Sequence, residues 1–131
     1  MKLRTIFILI NFVWIAIIFI LCILPGEKNP NPHWNIPHLD KVVHFGMYFI
    51  QSLLLAFPLE KFSRLRIRQI CIVTALVALL YGGTIEILQA RFFHRSGDLW
   101  DLAANLSGGI AGVICYPWLK RLLPLKNRIL P

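Results

Sequence analysis

The sequence predicts an all-α integral membrane protein, a four-helix bundle that crosses a lipid bilayer four times with both termini in the cytoplasm. Three observations carry the prediction. The chain of 131 residues is 57% hydrophobic and only 15% charged, far from the balance of a soluble domain. It holds four long apolar runs with no period-two alternation, and in hydrocarbon only helices and closed barrels satisfy every backbone N–H and C=O. Its basic residues are shared unevenly among the segments that join those runs.

Residues 6–24 form the first span. They are interrupted only by Asn11 and are long enough for a hydrocarbon core of about 30 Å. Lys2 and Arg4 precede this run as they would in a signal peptide, but the apolar region is too long and Leu24-Pro25-Gly26 is no small-residue cleavage site, so the span is read as retained. Residues 25–39 are rich in proline and asparagine and read as an irregular outer loop, with Trp34 at the interface. The second span, residues 42–57, carries His44 and Gln51 and is closed by Pro58. The third, residues 70–88, contains Glu86. The fourth, residues 99–119, opens with Asp101 and Asn105 and runs out near Lys120 and Arg121. The whole chain, 1–131, reads as one domain without internal repeats.

Ten of the fourteen lysines and arginines lie at the amino end, between spans two and three, and in the tail. Lys28, Lys41, Arg91 and Arg95 are left for the opposite side. The bias places the two ends and the middle loop in the cytoplasm. It also accounts for the net charge of +8 without a nucleic-acid partner, since no basic stripe interleaved with aromatics is present. Cys22, Cys71 and Cys115 each lie inside an apolar run, where packing is the expected role.

With that topology the embedded polar residues fall at one end. Asp40, Lys41 and His44 open span two; Glu86 and Gln89 close span three; Arg95 and Asp98 occupy the short loop; Asp101 and Asn105 open span four. Helical spacing places Asp40, His44, Tyr48 and Gln51 on one stripe, Gly82, Glu86 and Gln89 on a second, and Asp98, Asp101 and Asn105 on a third. Gly108, Gly109 and Gly112 are helix-packing residues, with Ala104, Gly108 and Gly112 forming a small-xxx-small edge. Ionised groups in lipid need partners, and Arg95, able to hold a carboxylate bidentately, is the expected partner of Glu86. Lys41, His44, Arg95 and the amino ends of spans two and four together suit an anionic headgroup. Asp40 and Asp98 also read as helix caps, with Asp98 and Asp101 spaced as a capping pair. Asp, Glu and His are available at one depth for a metal, but there is neither an HExxH pair nor a cysteine ligand pair, so no metal and no cofactor are assigned. No G-x-S-x-G elbow is present either.

The ordered run Asp40-Lys41-Val42-Val43-His44-Phe45 with Tyr48, followed by Glu86, Gln89, Arg95, Asp98, Asp101, Asn105, Gly108 and Gly112, resembles the VanZ-like membrane proteins over a core motif of about residues 40–112. The resemblance implies a four-helix protein of the bacterial or archaeal plasma membrane. The founding members of that family are linked to resistance to the glycopeptide teicoplanin. The leading expectation is therefore a cell-envelope protein that recognises an anionic lipid or cell-wall precursor headgroup in an outer-leaflet polar pocket. The alternative is a membrane enzyme acting on a lipid-linked headgroup, with His44 or Glu86 as general acid or base and Arg95 stabilising negative charge. A transporter fits less well, because the inner halves of the spans carry few polar residues. The glycine edge leaves open whether it packs within one chain or in a homo-oligomer.

Overall fold

The computed structural model describes residues 2–23, 38–93 and 98–122. They form four helices and no strand: α1 (Leu3–Ile23), α2 (Leu39–Phe62), α3 (Ile67–Phe92) and α4 (Leu99–Leu122). Each is long and apolar enough to cross a membrane. The proline-rich segment with Trp34, and Arg95 in the loop before α4, lie outside the described residues.

The helices outrun the apolar runs, most of all in α2. Pro58 does not close that helix but sits inside it. Proline lacks an N–H, so the carbonyl four residues back loses its intrahelical partner. Here that carbonyl belongs to Leu54, and it accepts a hydrogen bond from Asn11 Nδ2 of α1 at 2.9 Å. The one polar residue of the first span thus repairs the bond that Pro58 removes. The same Asn11 accepts from Gln51 Nε2 at 3.2 Å through its other side-chain atom, so α1 is fastened to α2 at this level.

Three more polar fasteners hold α1. Trp14 Nε1 donates to the Met47 carbonyl at 3.1 Å, Tyr81 Oη to that of Ile15 at 2.7 Å, and Gln89 Nε2 to that of Cys22 at 2.5 Å. Between apolar helices in lipid there is no hydrophobic force to draw them together, and hydrogen bonds and close packing take its place. Span one therefore contributes more than apolar surface.

The bundle encloses polar side chains between two apolar clusters, one around Ile18 and Ile85 and one around Ile70 and Val113, and is apolar outside. His44, Gln51, Ser52, Thr74, Glu86, Gln89, Asp101 and Asn105 are all buried, while Phe12, Ile72, Leu80, Ile114 and Trp118 are among the large side chains exposed on the outer faces. Lipid solvates such a surface without cost, so this distribution is that of a membrane bundle.

α2 and α4 form the most extensive helix pair, and glycines set its closeness. A methyl group at Gly108 would overlap the carbonyl of Phe45, and one at Gly112 would meet the carbonyl of Phe49 and the hydroxyl of Ser52. Gly109 faces α3, where a methyl would come within 2.9 Å of Ala78 Cβ. The small-residue edge is thus used within the chain. Backbone cannot yield as a side-chain tip can, so Gly108→Ala is expected to destabilise the bundle by about 2 kcal/mol or more. Gly83→Ala, whose methyl would meet nothing nearer than 4.0 Å, is expected to be neutral. Thermal unfolding of the two variants in detergent, followed by circular dichroism, checks the difference, and equal midpoints would contradict the packing described.

Candidate functional site

At the end of the bundle where α2 and α4 begin, both helix starts are built from polar residues. α2 starts after His38, which sits in the left-handed region at φ 61° and whose carbonyl accepts from the Lys41 and Val42 N–H groups. The helix therefore begins at Leu39, and Asp40 falls in its first turn rather than at the cap. Asp98 does cap α4, since its Oδ1 accepts from the Trp100 N–H at 2.8 Å. The capping pair is not completed by Asp101. The Asp98 N–H donates instead to Glu86 Oε2 of α3 at 3.1 Å, and the Asp101 side chain turns toward α2.

The resulting cluster joins three helices. Lys41 Nζ lies 3.0 Å from Asp40 Oδ2, 2.7 Å from Asp98 Oδ2 and 3.0 Å from Asp101 Oδ1, so all three of its donors are engaged. The ammonium holds the Asp98 carboxyl, which lies outside the helices, below the usual carboxylate range. One turn deeper, His44 Nδ1 lies 2.9 Å from Asn105 Oδ1, and its Nε2 stands 3.9 Å from Asp101 Oδ2. Asn105 is fully buried.

Among the described residues, Gln51 Oε1 and Ser52 Oγ are buried without a partner further along α2, and three polar groups in this region are too: Glu86 Oε1, the Tyr48 hydroxyl and Asn105 Nδ2. Gly82 forms the floor beneath two of them. A methyl there would lie 2.9 Å from Asn105 Nδ2 and 3.3 Å from the Tyr48 hydroxyl. Unpaired buried polar groups each cost about 1–3 kcal/mol, and in a native fold such groups ask for an explanation. A cleft of about 230 Å³ between α1 and α2, lined by Leu21, Leu39, Asp40, Val43 and Met47, reaches His44.

Of the site residues expected from the sequence, Asp40, Lys41, His44, Tyr48, Glu86, Asp98, Asp101 and Asn105 converge here. Gln51 and Gln89 do not. Gln51 binds Asn11, and Gln89 binds the Cys22 carbonyl, so both serve to hold α1. The expected pairing of Glu86 with Arg95 lies outside the described residues. Gly82 and Asn11 act where the sequence alone assigned no role beyond a shared stripe and an interruption. Two sets of side chains bring potential ligand atoms within 4.8 Å of one another: His44, Glu86 and Asp101, and Asp40, Asp98 and Asp101. Lys41 already occupies the second.

The opposite end of the α2–α4 pair offers a contrast. Glu60 accepts from Tyr116 Oη at 2.5 Å and from Lys120 Nζ at 2.7 Å and 2.8 Å. Its charge is matched and both its oxygens are used, so it reads as a lock between helices.

The VanZ/LLP1 family model matches residues 2–120. An uncharacterized protein of Schizosaccharomyces pombe is similar, at 34% identity over 95 residues, which is 72% of this chain and 56% of that protein. The chain thus spans little more than half the length of that relative. No solved structure matches.

Removing the Lys41 ammonium leaves Asp40, Asp98 and Asp101 facing one another. Lys41→Ala is expected to lower the unfolding midpoint at neutral pH by a few degrees. Because Lys41 depresses the Asp98 folded-state pKa, the stabilisation is present above the unfolded carboxyl value and is lost as pH falls through the folded one. The gap between wild type and variant should therefore close toward acid pH, and a gap constant down to acid pH would contradict the ion cluster.

Proposed function

The chain belongs to the VanZ/LLP1 family of multi-pass membrane proteins, and from that premise we propose that the polar cluster where α2, α3 and α4 meet, reached by the cleft beside His44, recognises the phosphate-bearing headgroup of a membrane lipid. The observation that carries the reading is the set of buried groups without partners, Glu86 Oε1, Tyr48 Oη and Asn105 Nδ2, inside a bundle whose outer faces are apolar. A protein in lipid has little water at hand to satisfy such groups, and the phosphate of a lipid headgroup entering through the cleft beside His44 supplies oxygens for the two donors, Tyr48 Oη and Asn105 Nδ2. Tyr48 and Asn105 offer donors, which suit phosphate oxygens.

The bias of basic residues supports a topology with both termini in the cytoplasm, so that the pocket opens to the outer leaflet of a plasma membrane. Lipid-linked cell-wall precursors carry phosphate headgroups there, and the family link to glycopeptide resistance fits a protein that engages them. Similarity to a fission-yeast protein favours a headgroup chemistry common to bacteria and eukaryotes over one confined to the bacterial wall.

Two measurements test these statements. Tyr48→Phe removes a hydroxyl that has no partner among the described residues, so the delipidated variant should unfold at the same temperature or higher. Native mass spectrometry should show retained lipid reduced roughly five- to tenfold, the worth of about one hydrogen bond. Undiminished lipid in the variant would overturn the headgroup reading. For the topology, a carboxy-terminal fluorescent-protein fusion expressed in bacteria should fluoresce while an alkaline phosphatase fusion stays inactive, and the reverse pattern would place the pocket on the cytoplasmic side.

A further inference from the structure

The cluster has an electrostatic imbalance that a phosphate by itself would worsen. Among the described residues, the carboxylates of Asp40, Asp98 and Asp101 gather around the ammonium of Lys41 and saturate it, and a fourth, that of Glu86, binds the Asp98 N–H. The helix starts are used as well, Asp98 capping α4 with its own carboxylate. What is left over consists of acceptors. Glu86 Oε1 has no donor among the described residues. Asp101 gives Oδ1 to Lys41 and turns Oδ2 toward His44. With the Asn105 carbonyl oxygen accepting from Nδ1, the neutral imidazole presents the lone pair of Nε2.

The gap between Nε2 and Asp101 Oδ2, 3.9 Å, is too long for a hydrogen bond. It is wider, by about half an ångström, than the separation of neighbouring ligands on one ion. At bond lengths of about 2.0–2.2 Å, two ligands of a tetrahedral metal stand about 3.3–3.6 Å apart. His44, Glu86 and Asp101 together bring one donor atom each within 4.8 Å of the others, so side-chain movements of up to about an ångström close the set. The three residues are buried, and Asn105 fixes the tautomer and orientation of the ring, as a second-sphere partner of a metal-binding histidine does.

We propose that His44, Glu86 and Asp101 bind one first-row divalent cation, zinc or manganese, and that this ion bridges the protein to the phosphate of its lipid. The imidazole nitrogen favours such ions over magnesium or calcium. One bound dication reduces the surplus of carboxylates and offers a coordination position to a phosphate oxygen, while Tyr48 Oη and Asn105 Nδ2 remain as donors beside it. The second half of the proposal rests on the headgroup reading given above, whereas the first stands without it.

The two halves are tested separately. Purified protein in detergent without added lipid is titrated with zinc chloride by calorimetry. One equivalent is expected to bind in the full chain and to raise the unfolding midpoint, with reversal by EDTA. Glu86→Gln keeps a carbonyl oxygen to accept the Asp98 N–H and therefore keeps the fold, but should weaken zinc binding at least tenfold, as should Asp101→Asn. His44→Ala should abolish it, and His38→Ala, which removes an exposed histidine at the same end, should leave it unchanged. No binding by wild type, or equal binding by wild type, Glu86→Gln and His44→Ala, would overturn the metal site whatever the lipid result. Native mass spectrometry before and after EDTA then addresses the bridge. Lipid released with the metal supports it, lipid retained after metal removal overturns it, and absence of lipid from metal-loaded wild type defeats the headgroup reading alone.

Discussion

The contact on which the remaining architecture depends is the backbone approach of α4 to α2 at Gly108 and Gly112. With hydrogen as the only side chain at these two positions, the carbonyls of Phe45 and Phe49 come up against the α4 backbone. That approach fixes register as well as distance. Phe45 adjoins His44 and lies one turn beyond Lys41, while Gly108 lies one turn beyond Asn105 and two beyond Asp101. Pinning 45 to 108 therefore sets His44 against Asn105 and Lys41 against Asp101, as the 2.9 Å and 3.0 Å contacts record. A methyl at Gly108 would disturb the site before it disturbed any apolar packing.

α3 joins this pair on different terms. It reaches α4 through Gly109 against Ala78 and again through Glu86, which takes the Asp98 N–H. Gly82 lets the same helix pass close to Tyr48 and Asn105 without covering their polar atoms. The carboxylate of Glu86 thus does the work of a capping residue for a neighbouring helix, and Asp101 is released from that duty to face Lys41 and His44. α1 is attached last, by side-chain hydrogen bonds to backbone carbonyls rather than by glycine contacts. Such bonds are worth about 0.6 to 2 kcal/mol each in a membrane, so α1 is held at several points but less tightly than α2 and α4 hold each other.

The four helices were legible in the sequence because lipid admits only helices and closed barrels, and long apolar runs without alternation fit the first alone, and the convergence at one end was legible because offsets of three and four repeat on a helix face. Helix ends were less so. Pro58 reads as a terminator from α2 alone, and only the position of Asn11 on another helix explains why it is not one. Gln51 and Gln89 share stripes with the site residues, yet a stripe spans more than one neighbour, and both sit on the edge that meets α1. The metal-ligand set was hidden for a related reason. Its members come from three helices, so no short spacing such as HExxH records it, and the unpaired oxygen of Glu86 is visible only once Asp98 is seen to occupy the other.

The two ends of the α2–α4 pair bear on how the unpaired groups should be understood. At Glu60 the same two helices bring a carboxylate, a phenol and an ammonium together, and every oxygen of the carboxylate is used. The chain is therefore able to satisfy a charged group between these helices when structure is all that is required. At the other end it provides an equally intimate contact but leaves a carboxylate oxygen, a phenol and an amide donor without partners. Replacing Tyr48 by phenylalanine, or Glu86 by glutamine, would relieve that cost within the same volume, so packing alone gives no reason for the hydroxyl or the charge. Stability would select against this arrangement, whereas a ligand that brings both a cation for the acceptors and oxygens for the donors accounts for the three unpaired groups at that end together.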